Sequence, residues 1–82
     1  MKRFGDKLRS LRLHHNVKLM ELSERLEYRT HSYLSEIEAG RKMPTAALAL
    51  KVSYLFNISI DQLLKDELEI DLNQSSYTPR AL

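Results

Sequence analysis

A chain of 82 residues with 43% hydrophobic content, two glycines and two prolines has room for one globular domain and one core, and little for an active-site cleft with its own supporting shell. With no cysteine, disulfides and thiolate metal sites are excluded and a reducing cytosol is the expected setting; no signal peptide is visible, and no apolar run approaches the ~18 residues of a membrane span. The net charge of +2 is small but unevenly spread: residues 1–42 carry ten cations and six acids (+4), residues 43–82 three and five (−2).

Phe4, Leu8 and Leu11 recur at i, i+4, i+7 and predict an amphipathic first helix over 4–15, with Lys7 and Arg9 on its wet side and Asn16 as its left-handed stop. Leu19, Leu22 and Leu26 share a face of a second helix over 17–26, which opens on Lys18 and so lacks a capping hydroxyl. Its amides would rely on water or on an anion. A third helix runs from the hydroxyl of Thr30, through apolar Leu34 and Ile37, to Gly40, a residue fit for the left-handed turn that ends a helix. Its other side carries His31, Ser32, Ser35 and Glu36, and Arg41 and Lys42 follow directly.

Met43, Pro44 and Thr45 connect to a fourth helix, with Thr45 as its cap. Residues 46–56, AALALKVSYLF, are apolar nearly all round and must be covered on more than one side. The core is expected to take Ala46, Ala49, Val52 and Phe56, leaving Leu48, Tyr54 and Leu55 for a second subunit. Asn57 breaks the helix, and Ser59 with Gln62 forms a capping box that opens a fifth, SIDQLL. Beyond it, Leu64, Leu68 and Leu72 suit a continuing helix, whereas Leu68, Ile70 and Leu72 alternate as a strand, and periodicity does not decide. Either form offers apolar side chains that pack back or meet a partner. Residues 73–82, NQSSYTPRAL, have no repeating apolar pattern and read as a loose tail.

Four blocks in this order, LRSLR (8–12), ELSERL (21–26), SYLSEIEAGRKMPT (32–45) and ALKVSYLFNISIDQLL (49–64), resemble the lambda-repressor-like helix-turn-helix family, the phage repressor and Cro type also called the xenobiotic-response-element family. The resemblance covers residues 4–65 and implies an all-α, compact five-helix DNA-binding domain over 1–66, with helices 2 and 3 as the helix-turn-helix. A C-terminal extension over 67–82 would hold a dimerisation segment and a flexible tail. It further implies a transcriptional regulator, a repressor, that binds a palindromic operator in double-stranded DNA as a homodimer. No cofactor, small-molecule ligand, membrane or catalytic step is expected, and the setting would be cytoplasmic.

By the resemblance and their place on helix 3, His31, Ser32, Ser35 and Glu36 would face base edges; Lys18, Arg29, Tyr33, Arg41 and Lys42 would contact phosphates. Tyr33 is divided between that contact and core packing, and Lys18 between it and plain solvation. Arg12 would pair with Glu38 and lock helix 1 to the reading helix. The dimer interface would draw on Leu48, Tyr54, Leu55, Leu68, Ile70 and Leu72. The sequence departs from the family at Lys18 for the usual hydroxyl cap, at Leu19 for the usual glutamine, and at Glu27 for the usual glycine in a turn one residue longer.

His14, His15 and His31 lack metal-ligand spacing, and no nucleophile elbow, phosphate loop or deaminase signature is present. The rival reading is a protein-interaction module, such as an antitoxin, that would use 68–72 and the tail to hold another protein.

Overall fold

The computed structural model describes residues 2–77, in which five helices follow one another: α1 (Phe4–His14), α2 (Leu19–Arg25), α3 (Ser32–Glu38), α4 (Ala46–Phe56) and α5 (Ile60–Leu64). The first four are stopped by one device. Past the last turn the chain enters the left-handed region, at Asn16 (φ 57°), Glu27 (68°), Gly40 (77°) and Asn57 (55°). That reversal lets the next amide reach back five residues: Val17 to Arg12 (2.9 Å), Tyr28 to Ser23 (2.8 Å), Arg41 to Glu36 (2.9 Å) and Ile58 to Ser53 (3.1 Å). Carbonyls that a helix end would leave unbonded are thereby satisfied. Glycine and asparagine suit this conformation, whereas the Cβ of Glu27 does not.

At the starts, Thr45 accepts from the Leu48 amide and Ser59 from the Gln62 amide, both at 3.1 Å, as the sequence predicts. Helix α3 begins one residue later than predicted, with His31 and not Thr30 at its N-cap. Residues 29–31 complete the turn out of α2, and the Thr30 hydroxyl accepts from the Ser32 amide at 3.3 Å inside that turn instead of capping the helix directly.

The core joins Phe4, Leu8 and Leu11 of α1, Leu22 and Leu26, Leu34 and Ile37 of α3, and Leu48, Ala49, Val52 and Phe56 of α4. Each large side chain enclosed this way contributes about 1.5–3 kcal/mol. The face of α4 differs from the predicted one. Leu48 is fully buried, which removes it from any subunit interface, and Ala46 is exposed. Positions 46, 50 and 54, one turn apart, form the wet side, so that Leu50 and Tyr54 stand in solvent.

Residues 68–72 are neither the helix nor the strand left open by the sequence. They belong to an irregular strap that returns along the domain, anchored first by α1. Lys7, expected on the wet side, is only 3% exposed. Its ammonium donates to the carbonyls of Gln62 (2.6 Å), Lys65 (2.8 Å) and Leu68 (2.7 Å), closing the end of α5 onto α1. Burial pushes its pKa down. Arg3 adds a forked bond to Glu69, and the Asp66 carboxylate accepts from the amides of Lys2 and Arg3.

Further along, Ile70 and Leu72 pack half-buried against the domain's own core, as Leu55 does. Residues 73–77 do not form a loose tail either. The Ser76 amide donates to the Phe56 carbonyl at 2.9 Å, the Tyr77 ring stacks on Phe56 with centroids 5.4 Å apart, and its hydroxyl donates to Glu21 at 2.9 Å. The rest of the predicted tail, 78–82, lies outside the described residues.

Candidate nucleic-acid interface

Seven residues of α3 divide cleanly into two sides. Leu34 and Ile37 are buried, while Ser32 is exposed and Ser35 and Glu36 are half-buried on the outer side, with His31 exposed just before the first turn. Positions 32, 35, 36 and 39 are spaced i, i+3, i+4, i+7, so Ser32, Ser35, Glu36 and Ala39 make one outward stripe. The stripe is built of short side chains, with Glu36 the one long member.

Two contacts fix α3 against α1. Arg12 donates through Nε and Nη2 to both oxygens of Glu38, at 2.8 and 3.0 Å, and through Nη1 to the Val17 carbonyl at 3.2 Å. With side chains only 14% and 8% exposed, the pair is shielded from water, where a forked, charge-assisted bond is strongest. The second contact was invisible in the sequence. A Cβ on Gly5 would overlap the Ile37 carbonyl oxygen and lie 3.2 Å from the Glu38 Cα, so α1 approaches the end of α3 more closely than any side chain permits.

Lys18, Arg29, Arg41 and Lys42 are all exposed. Lys18 occupies the N-cap of α2 and its side chain makes no capping bond there. Lys42 lies over the Tyr33 ring, 5.9 Å from its centroid. Of its two expected roles Tyr33 takes core packing, half-buried against the core. Its ring packs against Tyr28 with centroids 5.0 Å apart, and its hydroxyl is enclosed without a hydrogen-bond partner, so that atom is not available to a phosphate. Glu36 is likewise engaged already, since its carboxylate accepts from Arg41 Nε.

Sequence reasoning overlooked two neighbours of this face. Lys2 lines the same hollow as Gly40, Lys42 and Met43, which adds a cation at the C-terminal end of α3. Met20 of α2, 63% exposed, shares a second hollow with Arg29, Thr30 and His31. Neither has a signal in periodicity, because each reaches the site only through the packing of separate helices. Among the described residues no group of three or more His, Cys, Asp or Glu could hold a metal ion, and no helix is long and apolar enough to cross a membrane.

Two short helices joined by a turn, the second pinned across the first helix with a small-residue side outward, define a helix-turn-helix domain. The family model for helix-turn-helix domains matches residues 3–57, and the chain belongs to that family, of the xenobiotic-response-element or lambda-repressor-like type. Neither the curated proteins nor the solved structures gave a match.

Proposed function

We propose that the protein is a sequence-specific regulator of transcription that inserts α3 into the major groove of double-stranded DNA. The observation that carries this reading is the outer stripe of α3, with its short side chains, set between exposed cations on a helix that is pinned to α1 by the Arg12–Glu38 pair and the close approach at Gly5. Hydroxyls of Ser32 and Ser35 and the imidazole of His31 serve base edges, while Lys18, Arg29 and Lys42, with Lys2 beside Lys42, serve phosphates. Occupancy of the operator is the mechanism, and repression follows where a bound protein blocks polymerase.

The test is a gel shift on sites selected from random DNA, comparing the parent with Arg29→Ala and Lys42→Ala. Each variant is expected to bind all sequences more weakly, with a log–log salt slope shallower by about 1. Unchanged affinity and slope would remove that residue from the phosphate set, and a parent that selects no sequence would refute the reading.

The protein acts as a homodimer on a palindromic operator, with reading helices ~34 Å apart. Support comes from α4, where Tyr54 is 85% and Leu50 50% exposed, with Leu68 exposed on the strap. Leu50→Asp/Tyr54→Asp is expected to sediment as a folded monomer. An unchanged dimer would place the interface elsewhere.

A further inference from the structure

We propose that Arg41 reads a guanine in the major groove and that Glu36 is the positioning residue that presents its guanidinium to the base, an inference that rests on the DNA-binding reading above. The two residues are tied twice. The Arg41 amide donates to the Glu36 carbonyl at 2.9 Å, the bond that closes the helix end, and the left-handed turn at Gly40 folds the arginine back beside the outer stripe. Its Nε then donates to the Glu36 carboxylate, the guanidinium's only partner among the described residues.

With the Nε edge occupied, Nη1 and Nη2 remain as a planar fork of donors at the tip of a side chain that is 66% exposed. That fork fits the O6 and N7 acceptors of guanine, and it also fits a phosphate. The carboxylate discriminates between them. A phosphate at the fork would sit within a few ångströms of Glu36, and two anions that close repel each other, whereas the guanine edge carries no net charge. Lys42, the next residue, has the neutral Tyr33 ring for a neighbour and remains the phosphate binder. Glu36 acts here through the oxygen that holds Arg41 Nε, orienting the guanidinium instead of reading a cytosine N4 itself.

The experiment selects binding sites from random duplex DNA with the parent, Arg41→Ala and Glu36→Gln, then measures affinities for the selected site and its single-base variants at two salt concentrations. The parent is expected to prefer guanine at one position by about 5- to 150-fold. Arg41→Ala should lose that preference and keep the others. Glu36→Gln should weaken it at the same position and steepen the salt slope, as the released arginine turns to phosphate. Uniform weakening by Arg41→Ala with a slope shallower by about 1 would make Arg41 a phosphate contact and overturn the proposal. Loss of a cytosine preference in Glu36→Gln that Arg41→Ala retains would overturn it by making Glu36 a reader. Failure of the parent to select any sequence would instead overturn the DNA-binding reading. Arg41 is exposed, Glu36 is half-buried on the outer side of α3 and neither belongs to the core, so melting curves of the variants are expected to match the parent.

Discussion

Glu27 is the position where replacing a residue by glycine is expected to stabilise the domain. It holds the left-handed stop of α2 at φ 68°, a conformation that brings Cβ against the backbone and disfavours most side chains by about 1–2 kcal/mol. Glycine relieves this but adds freedom to the unfolded chain, which offsets about 0.5–1 kcal/mol. The side chain itself contributes little: its carboxylate is 3.9 Å from Lys51 in an exposed pair of the kind worth a few tenths of a kcal/mol. The balance for Glu27→Gly is about +0.5 kcal/mol, or a rise in Tm of about 2–4 °C. Urea denaturation should show a higher midpoint at unchanged slope. Glu27→Asn, which tolerates the same φ and keeps its side chain, is expected to shift in the same direction. A fall in midpoint for both variants would refute the claim that backbone strain is stored there.

Three further outcomes test the scaffold. Gly5→Ala should force α1 from α3 against the Ile37 carbonyl and destabilise by about 1–3 kcal/mol, which chemical denaturation would detect; wild-type stability would mean the helices separate at no cost. Arg12→Ala, Glu38→Ala and the double variant should give a coupling energy of about 1–3 kcal/mol, and additive effects would show the forked pair to be energetically silent. His15 gives a pH dependence. Its ring stacks on Phe56 at 5.7 Å, and its Nε2 is 2.7 Å from Ser75 Oγ; because that hydroxyl donates to the Leu72 carbonyl, the imidazole is the donor. Burial, with His14 adding, lowers its pKa below the ordinary 6.5, so the unfolded chain takes up the proton first. Stability should therefore fall as pH drops below about 6.5 until the folded-state pKa is passed, and His15→Gln should flatten this slope in urea midpoints measured from pH 7.5 to 5. A parental midpoint that does not change over that range would contradict the assignment.

The amino-acid sequence by itself determined the five helices, the stops of α1, α3 and α4 and the outward stripe of α3. Apolar spacing, the capping residues Thr45 and Ser59, and the turn residues Asn16, Gly40 and Asn57 all act within a few residues of themselves, and such local signals survive in a linear string. Helix 4 shows where that information ends. Its pattern is apolar on nearly every side, so periodicity could not choose between Ala46 and Leu48 for the core, and only packing against α5 and the rest of the core decided it.

Tertiary structure likewise turned Lys7 inward, because three carbonyls at the end of α5 and in the strap converge on its ammonium from residues more than fifty positions away. It enclosed the Tyr33 hydroxyl and brought Lys2 to the end of α3. It also laid residues 73–77 along Phe56, where no repeating pattern had marked them as ordered. Each depends on distances between segments remote in the chain, and those are set only when the helices have packed.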